Sequence, residues 1–386
     1  MDRRILFTAS TCSHIYHFHR PYLRAFTGLG WEVDVACGGA DYPLPEAGGF
    51  VHIPFEKRMT SLQNVQAVRA LRSLIQARSY ALVSCHTSLA AFFTRAAVMG
   101  MRDRPLVACT AHGYLFDGET PPARRLLLSG AERLTAPVTD LLMTMNRWDT
   151  RYALRQRLGK RVVEIPGVGV ELARPPEEGE REVLRRVLGF ADTDFLMIYA
   201  AEFSKRKSQE VLIQALARLP ERAVLLLPGE GAEKDRCRAL AESLGLGGRV
   251  VFPGQVPREA GPGRDMTAWY AASDAAVSSS RSEGLPFNVM EAMGRGLPVA
   301  ASDVKGNQDL IRHGENGLLY PYGDVEGCAA QMKRLLNAPE EARRMGERSR
   351  ADSLAYGLEA VLPQVMEVYQ QSFPALFPVP AAGLPK

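Results

Sequence analysis

The segment Glu283-Gly-Leu-Pro-Phe-Asn-Val-Met-Glu291 sets two carboxylates eight residues apart in a loop that turns into a helix. A strand candidate over residues 274–279 precedes the loop, and Pro286 suits the first helical position. The free N–H groups and the positive dipole end of such a helix attract anions, and Gly284 lets the backbone approach a ligand closely. The segment therefore predicts an anion site between two carboxylates, which could accept hydrogen bonds from sugar hydroxyls on either side of a diphosphate. An ordinary helix start with incidental acids is the alternative.

The remainder of the chain alternates apolar strand candidates with helical patterns. The strand candidates are residues 5–7, 33–36, 81–84, 106–109 and 141–144, then 195–199, 224–227, 250–252, 275–277 and 298–300. This alternation predicts an α/β fold in which crossover helices join parallel strands. At 386 residues the chain exceeds what one hydrophobic core usually supports. We therefore expect two domains, residues 1–172 and 173–353, linked through the polar segment 173–180. Residues 354–373 are predicted to form a helix, and 374–386 a loose tail.

Charge is distributed unevenly along the chain. The formal net charge is +4, but residues 1–170 hold 21 Lys and Arg against 13 Asp and Glu, so the first half is basic. A basic half suits an anionic surface such as a phospholipid leaflet or a lipid diphosphate, with nucleic acid as the competing interpretation. No nucleic-acid-binding motif supports that second interpretation. Residues 121–134 suggest a basic amphipathic helix, which would lie on a membrane or cover the core with a solvated basic face.

Cysteine spacing and hydropathy bear on localisation. The six cysteines, at positions 12, 37, 85, 109, 237 and 328, have no paired or metal-type spacing and are predicted to be reduced core thiols. The first apolar run is too short for a secretory signal, and the longest apolar region, residues 81–101, is interrupted by polar residues. We expect a cytoplasmic protein, at most peripheral at the inner face of the membrane.

Further motifs accompany the 283–291 segment. They are residues 225–231, 244–254 and 266–274 upstream, and 296–303, 306–311 and 314–319 downstream. With these motifs in this order, the chain resembles the family 4 retaining glycosyltransferases of the GT-B superfamily over about residues 4–370. Residues 18–23, 111–114 and 165–170 look like those of bacterial exopolysaccharide and capsule-building members.

The resemblance implies an architecture and an activity. In the GT-B fold, two doubly wound Rossmann-like domains face each other across a cleft, and a carboxyl-terminal helix crosses back to the first domain. The implied enzyme is a retaining hexosyl- or N-acetylhexosaminyl-transferase that takes its sugar from a nucleoside diphosphate, expected to be UDP. Its acceptor would be a growing, lipid-linked surface glycan. A UDP-sugar 2-epimerase of the same fold and a non-catalytic nucleotide-sugar-binding protein are the alternatives.

The resemblance also implies roles for particular residues. Glu291 would bind the donor ribose, and Glu283 the sugar hydroxyls. His112 follows a strand candidate and would orient the sugar, although a loop histidine that satisfies backbone groups is the alternative. The donor diphosphate would bind Lys207, Arg206 and the backbone of Gly284, Leu285, Pro286, Phe287 and Asn288.

Two loops depart from the family pattern. Glu202 stands where many relatives carry an arginine, a role that Arg206 or Lys205 could fill. The first strand-to-helix loop lacks the paired glycines of many relatives, and its hydroxyl side chains are candidates for acceptor or phosphate contacts. These side chains are Ser10, Thr11 and Ser13.

We expect neither a metal ion nor a cofactor. His14, His17 and His19 invite a metal interpretation, but no carboxylate or useful thiol spacing accompanies them, and packing explains the aromatic group. Asp192-Thr-Asp194 spells a metal-binding motif of another glycosyltransferase fold, but a turn explains it better. In retaining members of the family the leaving diphosphate can accept the acceptor's proton, so no separate protein base is required.

Overall fold

The computed structural model describes residues 3–56, 58–257 and 265–377. The chain divides into two compact units: unit 1 is Met1–Gly169 with Glu359–Lys386, and unit 2 is Val170–Leu358. The carboxyl-terminal residues therefore belong to the same unit as the amino-terminal ones.

Unit 1 contains a seven-stranded parallel sheet. Its strands are β1 (Arg4–Ala9), β2 (Glu32–Cys37), β3 (Gly49–His52), β4 (Leu82–His86), β5 (Leu106–Ala111), β6 (Leu141–Thr144) and β7 (Arg161–Glu164). The spatial order is β3-β2-β1-β4-β5-β6-β7, and every pairing is parallel. Its helices are α1 (Cys12–Phe18), α2 (Arg20–Gly28), α3 (Gln63–Arg78), α4 (Ser88–Val98), α5 (Pro122–Thr135), α6 (Arg147–Gln156) and, at the end of the chain, α15 (Leu358–Ser372).

Unit 2 repeats this arrangement with six strands. They are β8 (Phe195–Ile198), β9 (Ala223–Leu226), β10 (Val250–Val251), β11 (Ala275–Ser278), β12 (Val299–Ser302) and β13 (Gly317–Tyr320), in the order β10-β9-β8-β11-β12-β13, all parallel. Its helices are α7 (Glu180–Leu188), α8 (Gln209–Leu216), α9 (Lys234–Ser243), α10 (Met266–Ala272), α11 (Phe287–Gly294), α12 (Asn307–Leu310), α13 (Val325–Asn337) and α14 (Pro339–Ser353). The predicted fold of two doubly wound parallel sheets is confirmed.

Each sheet has a point at which the strand order reverses, between β1 and β4 in unit 1 and between β8 and β11 in unit 2. Open α/β sheets bind ligands outside the carboxyl ends of the strands at such points. Two non-glycine residues with positive φ lie close to these points: Thr87 (φ 63°) follows β4, and Ser208 (φ 49°) precedes α8. Backbone strain of this kind persists where the surrounding structure holds the loop in place, and it concentrates at functional sites.

Several predicted boundaries need correction. The last helix begins at Leu358 instead of residue 354, because Leu354–Tyr356 forms a separate 3-10 turn and Gly357 is extended. The sequence predicts Pro286 as the first helical residue, but it is the residue before α11, which begins at Phe287. The predicted loose tail is packed over its described part, since Leu376 is buried and the Phe377 ring lies 5.1 Å from that of Trp31. The rest of that tail, residues 378–386, lies outside the described residues.

Candidate active site

A buried ion pair occupies the switch point of unit 2. Lys207 lies in the loop after β8 and Glu283 in the loop after β11, and Nζ of Lys207 donates to Oε1 of Glu283 over 2.5 Å. Glu283 is 6% exposed and the Lys207 side chain 11%. Arg206 donates to the other carboxylate oxygen over 3.1 Å. The structure thus brings together three residues that the sequence predicts as donor ligands.

The two partners keep each other ionised despite their burial. Burial favours a neutral Glu283, but the charge of Lys207, followed by that of Arg206, outweighs it and lowers the pKa of Glu283. Burial likewise disfavours the charged form of Lys207, but the charge of Glu283 outweighs it and raises the pKa of Lys207. With Arg206 included, the group carries a net positive charge at pH 7, which suits an anionic ligand.

Serine residues after β11 hold this pair in position. Ser280 donates to Oε1 of Glu283, and its own oxygen lies 2.6 Å from the hydroxyl of Tyr199. Ser279 donates to the carbonyl of Lys207 over 2.9 Å. Sequence reasoning missed these positioning residues, although the serine-rich run after the strand was a visible signal.

Close backbone contacts shape the loops around the pair. A Cβ at Gly229 or Gly231 would lie 2.0 or 2.3 Å from a carbonyl oxygen in the segment 201–203, the loop after β8. A Cβ at Gly306 would lie 2.7 Å from the carbonyl oxygen of Gly284, and the φ of Gly306 is +83°. These glycines are therefore required for the loops to approach one another as they do.

Helix α11 begins four residues after Glu283 and carries Glu291 in its second turn. Gly284, Leu285 and Pro286 are buried in the connecting loop, and Phe287 and Asn288 open the helix in partly exposed positions. The hydroxyl of Tyr270 donates to Oε2 of Glu291 over 3.2 Å, which orients that carboxylate. The donor-binding residues that the sequence predicts after β11 thus form one continuous loop and helix start.

Glu202, the residue that departs from the family pattern, is exposed in the loop after β8. Its carbonyl accepts a hydrogen bond from the side chain of Gln209 over 2.9 Å, so its backbone helps to fix the loop. Arg206 and Lys205 are both exposed, but Arg206 contacts Glu283. The geometry therefore favours Arg206 over Lys205 as the second cation of the site.

Four histidines meet at the corresponding edge of unit 1. His112 directly follows β5, His86 ends β4, His14 lies in α1, and His19 stands between α1 and α2. The Nε2 atoms of His14 and His19 are 3.3 Å apart, and Nδ1 of His86 is 3.3 Å from Nε2 of His112. The His14 and His112 rings meet edge to face, with centroids 4.7 Å apart. His112 thus lies at a strand end, as predicted, but inside a histidine cluster that the sequence did not predict.

Burial keeps these imidazoles neutral at pH 7. It lowers the pKa of His14 to about 4, with a smaller contribution from His17. Burial also lowers the pKa of His19, His86 and His112 well below the ordinary value, and neighbouring histidines add to the effect. Each ring therefore offers one nitrogen lone pair.

The three hydroxyl side chains predicted on the acceptor side lie in the loop and helix start after β1. Ser10 Oγ is 2.6 Å from Oγ1 of Thr87, and Ser13 donates to Oγ1 of Thr11 over 3.1 Å. Ser10 thereby joins the loop after β1 to the strained residue after β4. These contacts give Ser10 and Thr11 a structural role within unit 1.

The Asp192-Thr-Asp194 sequence forms a turn before β8. The side chain of Asp194 accepts from the backbone N–H of Ala191 over 2.9 Å, and Nη1 of Arg185 donates to the carbonyls of both aspartates. The turn that the sequence predicts is therefore present, and the carboxylate of Asp194 takes part in it.

Helix α5 carries exposed apolar and basic side chains together. Leu126 and Leu127 are 65% and 75% exposed, and Arg124 is exposed on the same helix.

Among the described residues, no helix is both long enough and apolar enough to cross a membrane. All six cysteines are free and buried, as predicted.

Comparisons with known proteins identify the family. The family model described as Glycosyl transferases group 1 matches residues 180–352, and that described as Glycosyl transferase 4-like domain matches residues 20–167. The protein EpsD of Bacillus subtilis (strain 168), named as a glycosyltransferase, is 34% identical over 376 residues, which cover 96% of this chain and 97% of EpsD. The chain belongs to the family 4 glycosyltransferases of the GT-B superfamily.

Solved structures of similar fold agree with this assignment. The glycosyltransferase superimposes on sucrose-phosphate synthase from Thermosynechococcus elongatus with a TM-score of 0.81 and 23% identity, covering 97% of this chain and 100% of the other. It also matches Anabaena HepE in complex with UDP and glucose, with a TM-score of 0.77 and 21% identity, covering 96% of this chain and 100% of the other. At these identities the likeness establishes the GT-B fold.

Proposed function

We propose that this glycosyltransferase moves a hexosyl or N-acetylhexosaminyl group from a UDP-sugar to a growing, lipid-linked surface polysaccharide, with retention of anomeric configuration. The observation that carries the proposal is the buried Glu283–Lys207 pair at the switch point of unit 2, immediately before the start of α11. The similarity to EpsD and the UDP and glucose bound by HepE support the choice of reaction and donor.

The donor diphosphate would bind between Lys207 and the start of α11. One N–H of the Lys207 ammonium is directed to Glu283, which leaves two further donors for phosphate oxygens. Arg206, whose side chain is 49% exposed, adds a second cation that can turn toward the ligand. The backbone from Gly284 to Asn288 supplies the helix N-terminus. Together these groups would stabilise the negative charge that develops on the leaving diphosphate.

The two carboxylates would hold the sugars on either side of that diphosphate. Glu291, oriented by Tyr270, would accept hydrogen bonds from the ribose hydroxyls. Oε1 of Glu283 accepts from Lys207 and Ser280, whereas Oε2 accepts from Arg206 and has capacity for a hydroxyl of the transferred sugar. Glu283 would therefore contact the transferred sugar through one carboxylate oxygen and Lys207, a ligand of the diphosphate, through the other.

His112 keeps the role that the family resemblance assigns to it, which is to orient the transferred sugar. Its lowered pKa leaves a neutral imidazole that can donate one hydrogen bond and accept another. Transfer would need no metal ion, because Lys207, Arg206 and the helix start supply the positive field. It would need no protein base, because the leaving diphosphate accepts the acceptor's proton.

Helix α5 supports a peripheral position at the inner face of the membrane. Its exposed Leu126 and Leu127 could enter the interface, while Arg124 contacts anionic headgroups. A lipid-linked acceptor would then be bound at the same face of the membrane.

The direct test supplies labelled UDP-sugars to the purified protein, with and without a bacterial lipid extract. We expect label to enter the lipid phase and UDP to be released, and NMR of the product to show the donor's anomeric configuration. Glu283→Gln should lose turnover, whereas Glu326→Gln, a surface control 75% exposed and paired with Arg218, should not.

Two outcomes would favour the alternatives. Conversion of a UDP-sugar into its 2-epimer without any acceptor would support the epimerase. Binding of UDP-sugars without turnover, for every donor and extract, would support a non-catalytic binding protein.

A further inference from the structure

The histidine cluster of unit 1 has the dimensions of a metal site. One ring nitrogen from each of His14, His19 and His112 lies within 4.8 Å of the other two. A tetrahedral ion with metal–nitrogen bonds of about 2.0–2.1 Å holds its ligand nitrogens about 3.3–3.4 Å apart. The Nε2 atoms of His14 and His19 are already 3.3 Å apart, so a small movement of His112 would complete the triad.

His86 supplies the partner that a ligating histidine usually has. Metal-bound imidazoles donate their other ring N–H to a neighbouring acceptor, which fixes their tautomer. His86 Nε2 lies 3.0 Å from Ser84 Oγ, which itself lies 2.7 Å from the hydroxyl of Tyr369. If His86 donates to Ser84, its Nδ1 accepts from Nε2 of His112 over 3.3 Å. In that arrangement Nδ1 of His112 keeps a free lone pair for an ion.

The chemistry of the donors selects the kind of ion. His19 is buried and His14 and His112 are partly buried, and a neutral imidazole offers one ring-nitrogen lone pair to a metal ion. Among the residues that the structure describes, no carboxylate joins this group. Three imidazoles suit Zn²⁺, Co²⁺ or Ni²⁺, whereas Mg²⁺ and Ca²⁺ prefer oxygen ligands.

We propose that His14, His19 and His112 form a three-histidine site for a transition-metal ion of the zinc class, with its fourth position open to water. His14 and His19 lie five residues apart, on either side of the end of α1, whereas His112 comes from the end of β5, so the site exists only in folded unit 1.

An ion at this site would affect transfer, and this consequence rests on the proposed function. The ion takes the lone pair of His112, which could then no longer accept a hydrogen bond from the transferred sugar. Transfer itself requires no metal, so zinc should act as an inhibitor. Removal of the ion with a chelator should restore the rate.

Metal binding can be tested without any transfer assay. Zn²⁺ is titrated calorimetrically into the full-length protein after EDTA treatment and dialysis, and Co²⁺ is added separately to record its visible absorption. We expect one Zn²⁺ per chain, the intense visible bands of tetrahedral Co²⁺, and no comparable binding of Mg²⁺. Weak binding without a defined stoichiometry, or the pale spectrum of octahedral Co²⁺, would overturn the proposal.

Variants identify the ligands. His14→Gln changes a partly exposed ligand and should abolish one-site binding. His86→Gln should weaken binding about 10- to 100-fold, because it removes the ring that contacts Nε2 of His112 and orients it. His17→Gln is the matched control on α1 and should bind as the wild type does. Circular dichroism checks that each variant is folded. Wild-type affinity in a folded His14→Gln protein would refute the assignment.

The inhibitory consequence has its own readout. Zinc should slow transfer by the wild type, and the degree of inhibition, relative to each protein's zinc-free rate, should fall in His14→Gln. Stoichiometric zinc binding with an unchanged transfer rate would refute the role of His112 in transfer while leaving the metal site in place.

Discussion

Replacing Glu283 by Ala should destabilise unit 2 and leave behind a charge that an anionic ligand can neutralise. The variant removes the carboxylate that lies 2.5 Å from the ammonium of Lys207 and also the acceptor of Ser280. The Lys207 side chain is 11% exposed, so water can replace the lost partner only in part.

The magnitude follows from the burial of the pair. Removing one partner of a buried ion pair costs about 3–5 kcal/mol. Lys207 retains some exposure, and Arg206, half exposed, can turn away from it, so we expect the lower end, about 3 kcal/mol. For a unit of this size that loss corresponds to a fall of about 6–12 °C in Tm. Saturating UDP should raise the Tm of the variant more than that of the wild type, because the diphosphate returns negative charge to Lys207.

Urea unfolding followed by circular dichroism measures the difference. The control is Glu326→Ala, which removes an exposed pair with Arg218 and should cost less than about 1 kcal/mol. The lowered pKa of Glu283 means that its contribution is fully present above the ordinary glutamate pKa and is lost as the pH falls through the lowered value. The wild type and the variant should therefore converge in acid. A free energy of unfolding within about 1 kcal/mol of the wild-type value at pH 7, instead of the expected loss of about 3 kcal/mol, would refute the reasoning. So would a difference between the two proteins that persists unchanged in acid.

Three further predictions follow from the loops, the exposed helix and the charge of the site. Gly306→Ala should weaken UDP binding, measured by calorimetry, because the added Cβ would press on the carbonyl oxygen of Gly284. The control Gly314→Ala has the same φ of +83° but open space around it, and it should leave UDP binding unchanged. Equal effects of the two variants would implicate backbone strain instead of the contact with Gly284. The protein should co-sediment with anionic vesicles, and this binding should weaken in high salt because the Debye length is only about 8 Å at physiological ionic strength. The double variant Leu126→Ser and Leu127→Ser should bind the vesicles more than tenfold more weakly, because burial of each leucine contributes about 1.5–3 kcal/mol. Equal binding to neutral vesicles would contradict it. Transfer should survive EDTA, and loss of activity restored by Mg²⁺ or Mn²⁺ would reopen the case for Asp192.

The sequence predicts the central strands and the edge strand β10, but it does not predict the edge strands β3, β7 and β13. Strands buried on both faces, such as β1 and β9, read as continuous apolar runs. Strand β3 (Gly49–His52) alternates between partly buried and exposed residues at one edge of its sheet, and β7 (Arg161–Glu164) carries charged residues at the other edge. Strand β13 begins with a glycine, at position 317, a residue that is rare in strands. In each case pairing with a neighbour, which is a tertiary effect, outweighs local composition.

The site residues are predictable individually, but their interactions are not. The family resemblance predicts Glu283 and Lys207 as ligands of different parts of the donor, but not their direct ion pair, which joins residues 76 positions apart. The histidine cluster has the same cause: His14 and His19 are near in sequence, but His112 joins them through the order of the strands. A one-dimensional pattern records which residue types occur, whereas the parallel sheet determines which of them meet at its carboxyl edge.

A calorimetric titration of UDP tests most directly whether the loop and helix after β11 bind the nucleotide of a UDP-sugar. The wild type should bind one UDP per chain, and Glu291→Ala should bind it about 10- to 150-fold more weakly, the equivalent of about 1.5–3 kcal/mol for a charge-assisted hydrogen bond to the ribose. Glu315→Ala, which removes an exposed carboxylate paired with Arg312, should bind as the wild type does. Unchanged UDP affinity in a folded Glu291→Ala protein, or no UDP binding by the wild type, would contradict the account.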